Sequence, residues 1–258
     1  MAISAIRSVK EQKVPVSEII LVDDGSMDGT AEAVRCAHPD VHIIRTGGVG
    51  PGEARNLGVR ASKSATVMFL DSDDRWLPDH TEALLSLVAA DFDVAYGVTL
   101  TVDSIAGRRF LIPEEGRGVH GACLDALLRW CFLVPSSVCV TRKAFEEAGG
   151  FGPQPIGEDW AFFLRLASRF PFGFTDKIIT ERLLHDKSLS YVCANSTAIA
   201  DILSVIKNIV RESAPPGSEA HAWIERSEQF AREKAHTWRT IQDWYMALKA
   251  SGMLDAPL

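Results

Sequence analysis

Apolar residues recur at helical spacing at Ile3, Ile6 and Val9, and the pattern stops near Gln12, ahead of Val14-Pro15. The chain is therefore expected to open on a helix. Residues 18–22 (Glu-Ile-Ile-Leu-Val) form a short apolar run between polar neighbours, the pattern of a strand buried on both faces. A helical stretch over 30–37 and an apolar run over 41–44 complete a β-α-β unit. Pro51 opens a helix reaching about Ala61, and residues 66–70 read as another buried strand. Pro78 opens the helix that carries Leu84, Leu85 and Val88, and residues 93–102 alternate as a strand does. Strands alternating with helices predict an α/β fold with a largely parallel sheet covered on both faces.

Beyond Gly107 the order loosens into a strand over 109–112, a helix over 123–130, a strand over 137–140 and a short helix over 142–148. Acceptor-side structure is expected there. Residues 158–169 place Trp160, Phe163, Leu164 and Ala167 on one helical face, so Glu158 and Asp159 stand at a helix N-terminus, where negative charge is favoured. From about Tyr191 the pattern is helical, interrupted at Ala214-Pro215-Pro216-Gly217, with Trp223, Trp238 and Trp244 among charged residues. The expected division is an α/β domain over 1–190 and a helical C-terminal region over 191–258.

Composition narrows the function classes. A 258-residue chain that is 47% hydrophobic can fill a sizeable core. Its net charge of −7, with no Lys/Arg run, lacks the footprint that grips nucleic-acid phosphates, so nucleic acid is not an expected partner. Five scattered cysteines without a Cys-x-x-Cys pair argue against a disulfide framework or a zinc site, and favour a reducing cytoplasm. No apolar run approaches the roughly 20 residues that span a bilayer, which leaves peripheral attachment at the inner membrane face as the membrane expectation.

Two expected strands end in acidic clusters, Asp23-Asp24 and Asp71-Ser72-Asp73-Asp74, and ligand crevices of open α/β sheets lie at such strand ends. If the backbone stays extended, Asp71 and Asp73 point the same way and offer hard oxygens to Mg²⁺ or Mn²⁺ holding a diphosphate. A solvated turn ahead of the next helix is the plain alternative. The segment from Asp24 to Gly29 also resembles the start of a calcium loop, but Arg35 stands where the bidentate Glu belongs. That segment is better read as a strand-to-helix turn in which Asp23 or Asp24 accepts from a nucleobase N–H or closes an Asx-turn. Arg55 can fork onto the nucleotide end of a donor or tie Asp23 or Asp24 in place.

Taken in order, Val22-Asp23-Asp24-Gly25-Ser26 with Asp28-Gly29-Thr30, Ala54-Arg55-Asn56, Phe69-Leu70-Asp71-Ser72-Asp73-Asp74, Gly149-Gly150-Phe151 and Gly157-Glu158-Asp159-Trp160 resemble the family-two glycosyltransferases. The resemblance covers residues 2–190 and implies a GT-A fold, a Rossmann-like, mostly parallel sheet flanked by helices. It implies a nucleotide-sugar donor, a UDP-sugar foremost, with Asp23 or Asp24 on the uracil and Asp71 and Asp73 at Mg²⁺ or Mn²⁺. Asp73 would make the direct metal bond. Asp159 would be the base of an inverting displacement onto a hydroxyl of a glycan, lipid-linked or small-molecule acceptor. His185 falls where the family's flexible loop approaches the diphosphate or the metal.

The chain departs from the pattern twice. Met1 falls at the start of the first helix, so the family's central first strand, which lies between the strands ending at Asp23 and Asp71, has no counterpart, and unpaired backbone groups and reduced stability are expected unless those two flanking strands close together. Arg182-Leu183-Leu184-His185 replaces the family's Tyr-Arg ahead of the His, which weakens the expected diphosphate contact. A noncatalytic form that has lost nucleotide binding is the competing reading. A nucleotidyltransferase ranks behind both, because no basic Gly-rich triphosphate loop is present.

Overall fold

The structure is a computed structural model, and it describes residues 1–189, 196–213, 219–234 and 249–251. The chain opens with α1 (Ala2–Lys10), β1 (Ile20–Asp23), α2 (Thr30–Ala37), β2 (His42–Arg45), α3 (Pro51–Ala61), β3 (Thr66–Met68), β4 (Arg75–Trp76) and α4 (His80–Ala89). It continues with β5 (Val94–Asp103), β6 (Arg108–Ile112), α5 (Leu124–Arg129), β7 (Val138–Thr141), α6 (Arg142–Glu147), α7 (Glu158–Ala167) and β8 (Phe172–Leu184). Two C-terminal helices, α8 (Ser196–Ser213) and α9 (Glu219–Lys234), follow. Pro51 stands in the first turn of α3 and Glu158 opens α7 as expected, whereas α4 starts two residues after Pro78, at His80 with Asp79 as its N-cap.

The sheet is more mixed than alternation alone predicts. Strands β1 and β2 form a parallel pair, and β3, β7, β5, β8 and β4 lie side by side in a second sheet, with β6 also on β5. Of the pairings in that sheet only β5 with β8 is parallel. The reason is β7, which comes late in the chain and runs antiparallel to both β3 and β5 where a crossover strand would run parallel. The long strand β8 was not legible, since Thr175-Asp176-Lys177 interrupts its apolar pattern and the ladder to β5 shifts register between Gly97 and Thr99.

Among the described residues no backbone ladder joins β1 to β3. Between them lies a cavity of about 670 Å³ lined by Ile20 and Val22 of β1, Val67 of β3, Ile6 and Val9 of α1 and Val59 of α3. The carbonyls of Ile19 and Asp23 bond to His42 and Thr46 on the β2 side. Alternation along a parallel strand therefore turns the backbone groups of Ile20 and Val22 toward the cavity. This open flank explains why Ile20, Leu21 and Val22 are only half-buried where a strand covered on both faces was expected.

The main core runs from Val94, Tyr96, Val138 and Val140 of the sheet through Phe145, Phe151 and Phe162 to α8 and α9. Ile202, Leu203, Ile206 and Trp223 belong to this same core, so the C-terminal helices complete the domain's apolar interior. Lys207 and Glu228 pair at 2.9 Å between the two helices. Trp238, Trp244 and Cys193 lie outside the described residues. No described helix is long and apolar enough to cross a membrane.

Candidate active site

The acidic motif at the end of β1 turns inward. Asp23 is buried and accepts from the Ser26 N–H at 2.9 Å, while its other oxygen lies 3.3 Å from Arg45 Nε without a hydrogen bond. Asp24 accepts from the Thr46 hydroxyl and from the N–H groups of Gly48 (3.1 Å), Val49 (2.6 Å) and Gly50 (2.8 Å). Burial pushes its carboxyl up, but these donors outweigh it and hold it below the ordinary value. Asp24 is thus spent on the loop that launches α3, and neither it nor Asp23 lines either large cavity.

Arg55 does not reach Asp23 or Asp24. Its Nη2 donates to Asp71 at 2.7 Å and its Nη1 to Glu158 at 2.7 Å, and the guanidinium lies over the Phe151 ring at 5.2 Å. The next residue, Asn56, clamps the Phe151 backbone from both sides, donating to its carbonyl at 3.0 Å and accepting from its N–H at 2.9 Å. Gly150 is forced here: its φ is +67°, and a Cβ would sit 2.7 Å from Asn56 Oδ1. Gly157 is forced likewise, with φ +75° and a would-be Cβ 2.6 Å from Ile202 of α8. Ala54-Arg55-Asn56, Gly149-Gly150-Phe151 and Gly157-Glu158-Asp159 are therefore one contact set, held in place by the main core.

The second acidic motif closes a turn, with the Asp74 N–H donating to the Asp71 carbonyl at 3.1 Å. This corrects the extended backbone expected for Asp71-Ser72-Asp73: Asp71 faces Arg55, whereas Asp73 Oδ2 lies 3.2 Å from His185 Nε2. Ser136, which sequence reasoning missed, anchors the turn. Its hydroxyl donates to Asp74 at 2.6 Å and accepts from the Asp71 N–H at 3.1 Å. Its carbonyl accepts from Trp76 at 2.9 Å and Thr180 at 3.0 Å, and lies 3.0 Å from His80 Nε2. Burial, with Asp71 nearby, pushes Asp74 up to about 7. The Lys187 N–H donates to His185 Nδ1 at 3.1 Å, so in the neutral ring Nε2 carries the proton toward Asp73.

Glu158 and Asp159 stand at the start of α7 as expected. Burial and the neighbouring Asp159 push Glu158 up to about 7, against the pull of Arg55. Burial also raises Asp159, opposed by Arg55 and by the Trp160 N–H, which donates to it at 2.7 Å. A cavity of about 700 Å³ brings Arg55, Asp71, Glu158 and Asp159 together with Trp130, Trp160 and Arg182. Among the described residues no three His, Cys, Asp or Glu side chains are grouped to hold a metal by themselves. Asp73 and His185 offer two ligands, and Mg²⁺ or Mn²⁺ at a diphosphate commonly takes only one or two from protein, with phosphate and water oxygens completing the shell.

Residues 3–149, more than half of the chain, match the sequence pattern of the family described as Glycosyl transferase family 2. An uncharacterized glycosyltransferase of Rickettsia conorii is 26% identical over 213 residues, which is 80% of this chain and 35% of that protein. The chondroitin synthase of Escherichia coli is 26% identical over 197 residues, 73% of this chain and 28% of that protein. The chain thus spans about a third of the length of these relatives. Among solved structures, S. aureus TarS 1–349 in complex with UDP-GlcNAc superposes with a TM-score of 0.67 at 16% identity, over 90% of this chain and 68% of that one.

Proposed function

The chain belongs to glycosyl transferase family 2, and from that premise we propose that it transfers a sugar from a uridine diphosphate donor to an acceptor hydroxyl with inversion. One observation carries the reading: Arg55, Asp71 and the Glu158-Asp159 pair line a single cavity, although they come from three separate motifs. TarS, whose fold this chain shares, was solved with UDP-GlcNAc, which supports a nucleotide-sugar donor.

Asp159 is the base. Its carboxylate takes the proton of the acceptor hydroxyl as that oxygen bonds to the sugar's anomeric carbon, while the bond from that carbon to the diphosphate breaks on the opposite face. The bonding electrons leave with the diphosphate. Arg55 holds Asp71 at the donor side and Glu158 at the base side, so the distance between the two halves of the site is set by one guanidinium. Asp73 and His185 would hold Mg²⁺ or Mn²⁺, which when bound offsets the charge of the departing diphosphate. To hold the metal through Nε2, His185 would carry its ring proton on Nδ1, at the cost of the hydrogen bond from Lys187. Asp23, whose Oδ2 faces Arg45 at 3.3 Å but accepts no hydrogen bond, is the better of the two early carboxylates for the uracil, since Asp24 is fully engaged.

Calorimetric titration of UDP with and without Mn²⁺, on the chain and on Asp73→Ala, tests the donor site. Binding that needs both Mn²⁺ and Asp73 supports the reading. The open flank between β1 and β3 favours a second reading, in which nucleotide binding is lost or waits on a strand filling that slot. A well-folded chain that binds no UDP under either condition selects it.

A further inference from the structure

The cavity at Asp159 carries a charge opposite to that of the chain. The net formal charge is −7, yet this cavity is lined away from Arg55 by Arg108, Arg109, Arg117, Arg129, Arg182 and Lys249. Several of these cations are already met. Arg108 pairs with Asp103 at 3.1 Å, and Glu114 is shared by Lys249 at 2.7 Å and Arg117 at 3.6 Å. Arg182 has interactions of its own and lies near Asp74 and Asp159.

Two are not met. Arg109 is exposed and has no ion pair or hydrogen bond among the described residues. Arg129, at the C-terminal end of α5, is half-buried, and its Nε–H is fully enclosed without an acceptor. An enclosed guanidinium N–H without a partner is costly, because its hydration is lost and nothing replaces it. Arg129 is followed by Trp130, whose ring packs edge-on against Trp160, the residue after Asp159, at 5.7 Å. The unmet cation thus belongs to the wall of the cavity that holds the base.

We infer that the acceptor is anionic, a sugar carrying a carboxylate or phosphate that docks on Arg129 with Arg109 at the rim. This rests on the reading of the Asp159 cavity as the acceptor site. The planar fork of a guanidinium fits either oxyanion with two parallel hydrogen bonds, and the aromatic wall of Trp130 and Trp160 faces the sugar.

The test compares three probes by calorimetry on the unaltered chain: glucose, glucuronate and glucose 6-phosphate, each with and without saturating UDP. The expected result is at least tenfold tighter binding of an anionic probe than of glucose, kept when UDP is present; which anion wins identifies the group. Arg129→Gln is expected to erase the difference and Arg129→Lys to retain part of it. Equal affinity for all three, or binding of none, overturns the inference. Loss of anion binding when UDP is added also overturns it, since the anion then occupied the donor's place. Failure of UDP to bind counts against the proposed function alone, because the comparison of anionic with neutral probes is then read without nucleotide.

Discussion

Arg55 Nη1 donates to Glu158 Oε1 at 2.7 Å across 103 positions of sequence, and the same guanidinium holds Asp71. Glu158 is buried and Arg55 mostly covered, with side chains 8% and 15% exposed, so water replaces little of what the pair provides. The pair welds α3 to the start of α7 and places the proposed base relative to the second acidic motif.

Removing one member of a buried pair leaves the other charge unpaired, so Arg55→Met is expected to cost about 3–5 kcal/mol of unfolding free energy. Arg55→Lys should recover only part of it, because a point charge cannot reach Asp71 and Glu158 with two separate nitrogens. Urea denaturation checks both; a loss under about 1 kcal/mol for Arg55→Met would refute the bridging role.

Asp159→Asn keeps the size of the side chain and the hydrogen bond from the Trp160 N–H but cannot take a proton. Transfer should fall by about 10²–10⁴-fold while UDP binding is retained. The rate of the unaltered chain should rise with pH through a group above the ordinary aspartate value, since burial raises Asp159. An unchanged rate in Asp159→Asn assigns the base elsewhere.

Stability should depend on pH in two opposite ways. Glu158 and Asp74 sit at about 7 in the folded chain, above their ordinary values of 4.5 and 3.8, so the folded state holds more protons and stability is lost as pH rises toward and through 7. Glu18 is held at about 2 by the hydroxyls of Ser62 and Ser64, so its contribution is present above 4.5 and lost as pH falls toward 2. The thermal midpoint is expected to climb from about pH 8 to about pH 5.5 and to drop below about pH 4. Glu158→Gln should flatten the alkaline decline; a midpoint that rises from about pH 5.5 to 8 contradicts these assignments.

Ser136→Ala removes the donor to buried Asp74 and the acceptor for the Asp71 N–H together. A cost of about 1–3 kcal/mol is expected from the unsatisfied groups, with weaker Mn²⁺-dependent UDP binding as the turn loosens. Unfolding and UDP titration of the one variant measure both effects.

The flank between β1 and β3 should be visible to hydrogen exchange. The amides of Ile20 and Val22 are expected to exchange far faster than those of Val94 and Ala95, which lie inside the six-stranded sheet. An apolar, strand-forming segment joined ahead of Met1 should protect them and raise the thermal midpoint. An equal midpoint would show that the cavity is not a strand site.

Sequence alone determined the early β-α-β elements, most of the helices and the set of motifs. The strand ending in Asp23, the apolar run leading to Asp71, the helix opened by Pro51, the acidic start of the helix at Glu158, and the order of the Gly and acidic motifs follow from local preferences that a few neighbouring residues decide. What each acidic residue does was decided only by tertiary structure. Asp24 is consumed by four donors of the Thr46–Gly50 loop, Asp71 and Asp73 diverge in a turn closed by the Asp74 N–H and anchored by Ser136, and Arg55 meets Glu158 rather than Asp23. These outcomes depend on partners as far as 103 positions away, and a carboxylate's sequence neighbours carry no record of which distant donor reaches it first. The mixed sheet has the same origin: β7 is an ordinary apolar run, and only its insertion between β3 and β5 sets its direction.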